Sequence, residues 1–188
     1  MSHRVCPWWI GYLLASPLRR WLEVPERILA PYVHEGMLVL EPGPGMGFFT
    51  LELARRVGAS GRVVVVDIQP RMLNGLKRRA RKAGLLERID VRLAAPHSMG
   101  LTDLAGKVDF ALAFAVVHEM PNACSFFSEA SKALKRGASL LLVEPAGHVK
   151  AADFETELTV AAQTGLQLTS RPIIGRRSYA ALLKKMGN

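Results

Sequence analysis

The chain has 188 residues, enough for one domain with a full core and no need of disulfides or a structural metal. A hydrophobic fraction of 49% and a charged fraction of 22% exclude disordered, collagen-like and coiled-coil chains. Two cysteines, Cys6 and Cys124, exclude a disulfide framework and a cysteine-only zinc site, and the net charge of +9 favours attraction to anions without specifying a fold.

No run reaches the roughly 18 apolar residues of a membrane span. Pro7–Leu18 is the most apolar N-terminal stretch, and it is broken by a glycine, a serine and two prolines. It reads as part of a helical extension over residues 1–35 rather than as a signal peptide, because the motif that follows belongs in the cytosol. Few cysteines point the same way, to a reducing cytoplasm.

Two short helices are expected at Pro17–Leu22 and Pro25–Val33, each opened by proline. Met37–Glu41 is a short apolar run between Gly36 and Pro42 and predicts a buried strand. Phe49, Leu53 and Val57 recur at helical spacing within Phe48–Val57. Arg62–Asp67 contains four successive valines and predicts a strand buried on both faces. A helix over Arg71–Ala83 follows, stopped by Gly84. Ile89–Leu93 and Val108–Phe114 are strands, Ala123–Leu134 is a helix closing at Gly137, and Ala138–Glu144 is a strand. A helix over Ala151–Thr164 ends at Gly165, and Leu166–Ile174 with Ser178–Lys184 forms a terminal antiparallel pair. This alternation predicts an α/β domain over 36–188: a doubly wound, Rossmann-like, mostly parallel seven-stranded sheet. Its last strand is antiparallel and helices cover both faces. Ligands of such sheets sit beyond the carboxyl ends of the strands.

The first of those ends reads Val39-Leu-Glu-Pro-Gly-Pro-Gly-Met-Gly-Phe48. Gly43, Gly45 and Gly47 allow unusual backbone angles and close approach of a ligand. Pro42 and Pro44 have no N–H, so donors come from the glycines and from Met46 onward. The spacing G-x-G-x-G departs from the dinucleotide pattern G-x-G-x-x-G. Glu41, just before the glycines, would repel a pyrophosphate and suits an ammonium. Asp67, ending the second strand, is placed to accept hydrogen bonds from ribose hydroxyls, or else to cap the next helix. The ligand so described has a ribose, a cationic part and no pyrophosphate.

These motifs resemble the class I S-adenosylmethionine-dependent methyltransferases, in particular the small-molecule, type-11-like branch, from about Met37 to Lys184. Glu41–Gly47 resembles the family's first motif and Val66-Asp67-Ile68 its ribose-binding strand end. Val108–Pro121 resembles the fourth-strand motif, and Leu134–Glu144 the element leading into the fifth strand. The resemblance implies S-adenosyl-L-methionine as cofactor. Glu41, Gly43, Gly45, Met46 and Gly47 would line its methionine part, Asp67 would hold the ribose, and Ile68 and Gln69 would flank the adenine with Phe114. The acidic residue that the family often carries after the third strand is missing from Leu93–Ser98, which leaves Ala95 or Ser98 for the adenine edge.

Methyl transfer needs donor and acceptor held close and aligned in a dry site, with a base only where the acceptor loses a proton. His118 is the candidate base, or alternatively holds its loop. Glu119 and Glu144 also follow the fourth and fifth strands and are expected at the acceptor. All three tryptophans lie in the first 21 residues, so Trp8, Trp9 and Tyr12 form either an aromatic lid over the substrate or an anchor for the extension. No metal set is expected. Residues 71–92 hold eight of the chain's Lys and Arg against two acids, a possible phosphate-contacting face or simply a solvated one. The main expectation is a cytoplasmic transferase acting on a small molecule. The alternatives are a ribosomal- or transfer-RNA methyltransferase and a non-catalytic cofactor-binding module. Ala113-Phe-Ala-Val116 stands where base-methylating enzymes need Asn-x-Pro-aromatic, which weighs against the first alternative.

Overall fold

The computed structural model describes residues 24–187 apart from Arg176. The expected helix at Pro17–Leu22 and the aromatic residues Trp8, Trp9 and Tyr12 lie outside the described residues. Seven strands form one sheet in the order β3-β2-β1-β4-β5-β7-β6. The strands are β1 (Leu38–Pro42), β2 (Arg62–Asp67), β3 (Ile89–Leu93), β4 (Val108–Phe114), β5 (Leu134–Pro145), β6 (Leu166–Ser170) and β7 (Ser178–Lys185). The helices are α1 (Pro25–Leu29), α2 (Thr50–Arg56), α3 (Pro70–Lys82), α4 (Ala123–Ala133) and α5 (Ala151–Gln163). This is the Rossmann-like sheet expected from the alternation of elements, with β7 antiparallel to both of its neighbours. The residues divide into two compact units, one ending at Pro96 and the other beginning at His97.

In the first unit, β1 pairs parallel with β2, Leu38 opposite Arg62, and β2 pairs parallel with β3, Val63 opposite Ile89. Val63–Val66 are buried without a break, as a strand covered on both faces requires. α3 turns Met72, Leu73, Leu76 and Ala80 inward, and its outer face carries no acidic residue. α2 begins at Thr50 rather than Phe48, because residues 45–49 are taken up by turns after the glycine loop. The basic stretch is less uniform than its composition suggests. Arg79 reaches in to donate to the Met46 carbonyl at 2.5 Å, Arg88 donates to Ala54 at 3.2 Å, and Arg92 pairs with Asp90 at 2.8 Å. Burial lowers the Arg79 pKa from its ordinary value. Arg79 and Arg88 brace the fold and Arg92 pairs within its own strand, while Arg71, Arg78, Arg81 and Lys82 stay exposed.

In the second unit, β4 and β5 run parallel, and β7 pairs antiparallel with β5 from Ser139–Lys184 to Pro145–Ser178. α4 is capped by Asn122, whose side chain accepts the Ser125 N–H at 3.0 Å. Gly137 does not stop that helix. The chain passes directly from Ala133 into β5, and Gly137, at φ +78°, lies in an irregular stretch of the strand. Val108 pairs with Leu134 but Phe110 pairs with Ser139, so the extra residues of β5 bulge out between those contacts. β6 ends at Ser170, ahead of Pro172, instead of running to Ile174.

Candidate active site

The carboxyl end of β1 delivers the glycine loop. Gly43, Gly45 and Gly47 all have positive φ, at 64°, 53° and 82°, a backbone open to glycine and costly to other residues. A Cβ on Gly45 would meet nothing within 4 Å, whereas one on Gly47 would sit 3.0 Å from Leu76 Cγ. The two glycines therefore serve different ends: Gly47 lets the loop pack on α3, and Gly45 leaves main chain open to a ligand. Gly47→Ala should destabilise the fold by about 1–3 kcal/mol. Gly45→Ala should cost only about 1 kcal/mol from its backbone angle and should act mainly on ligand affinity. Paired urea melts and ligand titrations separate the two; equal losses of stability would remove the distinction.

Glu41 is almost fully buried, and its Oε2 accepts a hydrogen bond from the Thr50 hydroxyl at 2.5 Å. Burial raises its pKa from 4.5 to about 8 against the opposing effect of Thr50. Thr50 carries no obvious signal in the sequence, since its role depends on α2 starting where it does. Asp67 ends β2, and its Oδ1 accepts the Gln69 N–H at 2.9 Å. The residue at the cap of α3 is Gln69, not Asp67. Ile68 is 48% exposed beside it. Met46 is buried, its side chain against Gly75. Ala95 is exposed after β3, in an isolated bridge just before the turn at 96–97.

The second unit gathers its own set. Past Phe114, the last residue of β4, Ala115 adopts φ 55°, and its N–H donates to Val143 at 2.7 Å. A non-glycine residue in that region is uncommon and marks local strain. The turn that follows, Val117–Glu119, is pinned by one fully buried carboxylate. Glu144 Oε1 accepts the Val117 N–H at 2.8 Å, and Glu144 Oε2 meets His118 Nδ1 at 2.5 Å. A hydrogen bond donated to Glu144 fixes the ring proton on Nδ1 and leaves Nε2 as the other ring nitrogen, 4.0 Å from Glu119 Oε1. Burial pulls the His118 pKa down, but the hydrogen bond and charge of Glu144, helped by Glu119 and Glu157, outweigh it, and the pKa is raised. The His148 ring lies edge-on to His118 at 5.8 Å. Glu157 on α5 is also raised, to about 8, by burial and then by the charge of Glu144. Ser98 is engaged elsewhere: its hydroxyl donates to Glu129 at 3.1 Å.

Sequence reasoning missed Glu157 and the pairing of His148 with His118. The signal for Glu157 was present, since it lies three residues after Phe154 and four before Ala161, both buried on α5. A glutamate on an apolar helix face calls for an explanation. No group of three His, Cys, Asp or Glu placed to hold a metal ion occurs among the described residues.

The raised groups give stability a definite pH dependence. Glu41 and Glu157 keep protons in the folded state that the unfolded chain loses above 4.5, so folding binds protons between 4.5 and about 8. The stabilisation from His118 is present below its unfolded pKa and is lost as pH rises through the raised one. All three run in one direction, and Tm should fall from pH 5 to pH 8.5. Glu41→Gln should flatten that fall. A Tm that rises over the interval, or an unchanged slope in the variant, contradicts the assignment.

A family model described as a methyltransferase domain matches residues 33–179. The chain is 29% identical over 151 residues to a catechol O-methyltransferase of Mycobacterium tuberculosis, covering 75% of this chain and 67% of that protein. It is 32% identical over 111 residues to an uncharacterised protein of transposon TN4556 in Streptomyces fradiae, covering 59% of this chain and 30% of that one. Among solved structures, a SAM-dependent methyltransferase from Aquifex aeolicus superposes with TM-score 0.85 at 23% identity, covering 97% of this chain and 100% of that one. The [4+2]-cyclase SpnF superposes at 0.73 with 15% identity, covering 86% of this chain and 80% of that one. Its presence illustrates that this fold hosts other chemistry.

Fold and glycine loop together define a class I methyltransferase architecture. This chain belongs to the methyltransferase-domain family and is an S-adenosylmethionine-dependent methyltransferase.

Proposed function

We propose that the protein methylates a hydroxyl group of a small molecule, with His118 as general base. The observation behind this reading is the Glu144–His118 pair at 2.5 Å, in which a buried carboxylate holds the ring by Nδ1. A base is useful where the acceptor must lose a proton, as an alcohol or phenol does. The catechol O-methyltransferase relative is consistent with an oxygen acceptor. The exposed remainder of the basic stretch lacks aromatic residues for stacking bases, which disfavours a nucleic-acid substrate.

The cofactor, when bound, supplies a methyl group on a positively charged sulfur. Gly43, Gly45, Gly47 and Met46 would hold its amino-acid part along exposed main chain, with Glu41 at the base of the loop. Asp67 would accept the ribose hydroxyls, and Ile68, Gln69 and Ala95 would border the adenine. Phe114 and Ser98, the other residues that the sequence suggests for the adenine, belong to the second unit, where the Ser98 hydroxyl donates to Glu129. Acceptor chemistry falls to His118, with Glu119 beside it and Glu144 behind. His118 Nε2 would take the proton that an acceptor hydroxyl gives up on methylation. Glu144 stabilises the imidazolium so formed.

Calorimetric titration with S-adenosylhomocysteine, with NAD and AMP as controls, tests the cofactor side. Methyl transfer from labelled cofactor to a panel of phenols, alcohols, amines and short RNAs tests the acceptor side. Turnover confined to hydroxyl compounds is the expected result; transfer to RNA, or to amines lacking a hydroxyl, overturns the proposal.

A further inference from the structure

No residue of α3 is assigned to the cofactor or the acceptor, yet one of its side chains reaches the glycine loop. Arg79 is a part-buried cation whose Nη1 donates to the Met46 carbonyl at 2.5 Å, across 33 positions of sequence. No ion pair involving Arg79 occurs among the described residues. A cation partly withdrawn from water toward a single carbonyl gives up hydration, and in return it restrains that carbonyl through a charge-assisted hydrogen bond. The same peptide unit is held at its other end, because the Gly47 N–H donates back to the Pro44 carbonyl at 2.9 Å. The Gly43 N–H is given to Val66 at 2.8 Å, and Pro44 has no N–H. Within 43–47 the N–H groups left for a ligand are therefore those of Gly45 and Met46, and the Met46–Gly47 peptide that Arg79 holds adjoins them. α3 also grips Met46 by its side chain: a Cβ on Gly75 would lie 3.0 Å from Met46 Cγ, so Met46 packs on bare helix backbone. The helix begins at Pro70, directly after Asp67, Ile68 and Gln69. One helix thus joins the strand end assigned to the ribose with the loop assigned to the amino-acid part.

We propose that Arg79 is a positioning residue for the cofactor: by holding the Met46 carbonyl it fixes the loop conformation in which Gly45 and Met46 receive the amino-acid part of S-adenosylmethionine. This rests on the reading of the glycine loop as the seat of that part. Glycines at 45 and 47 place little restriction on the peptide between Met46 and Gly47, so without Arg79 the loop is free to take other conformations. Binding then has to supply the order that Arg79 provides in the free protein, and affinity falls by that cost. The adenosine part, assigned to Asp67 and its neighbours, does not depend on the Met46 carbonyl and should be indifferent to the change. A single carbonyl needs one charged donor rather than a planar fork, so lysine at position 79 should restore part of the effect.

Two ligands that differ in the amino-acid part provide the test. S-adenosylhomocysteine carries it, and 5′-methylthioadenosine keeps the adenine, ribose and thioether but has neither ammonium nor carboxylate. Each is titrated calorimetrically into the full chain and into its Arg79→Met and Arg79→Lys variants. Wild type should prefer S-adenosylhomocysteine by about 10-fold or more, from the charged groups that only this ligand has. Arg79→Met should weaken S-adenosylhomocysteine about 10-fold, the worth of one charge-assisted hydrogen bond, and leave 5′-methylthioadenosine within about 2-fold of wild type. That retained affinity also verifies that the variant is folded. Arg79→Lys should bind S-adenosylhomocysteine more tightly than Arg79→Met does. Equal weakening of both ligands makes Arg79 a brace of the whole unit and overturns the proposal. Unchanged affinity for both ligands in Arg79→Met, or an Arg79→Lys variant no better than Arg79→Met, overturns it as well. A wild type without preference for S-adenosylhomocysteine shows that the loop does not seat the amino-acid part, and the underlying reading fails. A wild-type preference that survives undiminished in Arg79→Met leaves that reading standing and removes Arg79 alone.

Discussion

Asp67→Ala is expected to weaken S-adenosylhomocysteine binding about 100-fold, from the loss of two hydrogen bonds between ribose hydroxyls and a carboxylate at about 1.5 kcal/mol or more each. The side chain ends β2, is partly exposed, and already directs Oδ1 toward the Gln69 N–H, so its orientation is set before any ligand arrives. The same substitution leaves that N–H in contact with water, and the expected change in stability is below about 1 kcal/mol. Asp67→Asn keeps the shape and removes the charge, and it should fall between wild type and alanine. Calorimetric titration of the three proteins measures this. An affinity unchanged in Asp67→Ala removes Asp67 from the ribose site, and a Tm drop that tracks the affinity loss makes its role structural.

The second large effect concerns His118. Its replacement by alanine should lower kcat on a hydroxyl acceptor by about 100-fold to 10,000-fold, the usual contribution of a positioned general base. S-adenosylhomocysteine affinity should not change. Glu144→Gln should be nearly as damaging for a different reason. Glu144 Oε1 already accepts the Val117 N–H, so the glutamine oxygen is retained there and its NH2 faces the imidazole. That arrangement reverses the tautomer, placing the proton on Nε2 where a base needs a lone pair. In wild type, kcat/KM should rise with pH through the His118 pKa, because only the neutral ring accepts a proton. The midpoint should lie above the ordinary histidine value of 6.5, in keeping with the raised pKa. In Glu144→Gln the midpoint should shift downward. Histidine NMR titration follows the same group without any acceptor. Full activity in His118→Ala, or a pH profile flat between 6 and 9, contradicts the base assignment.

The predicted strands after Met37, at Arg62, at Ile89 and at Val108 are present within about a residue, and the glycine loop lies where the first strand ends. Uninterrupted apolar runs, proline at helix starts and glycine after the first strand suffice for this, because each acts on its immediate neighbours. They also determine the fold class, since strands alternating with helices leave few ways to bury both faces of a sheet. Errors fell at boundaries where a local signal met a tertiary demand. Gly137 reads as a helix stop, but pairing of Leu134 with Val108 draws the chain into β5 first.

Glu41, Asp67, His118 and Glu144 could be identified as functional candidates from their places after strands. What each touches could not. The contact of Thr50 with Glu41 spans 9 residues, that of Glu144 with His118 spans 26, and Glu157 is 39 positions from the histidine whose charge it affects. The basic character of residues 71–92 is a sequence property, yet Arg79 and Arg88 are committed to main-chain carbonyls 33 and 34 residues away, contacts that only tertiary packing creates. Sequence patterning specifies backbone elements because their energetics are local. Side-chain pairing, burial and the resulting proton affinities depend on segments distant along the chain, and they exist only once the sheet has brought those segments together.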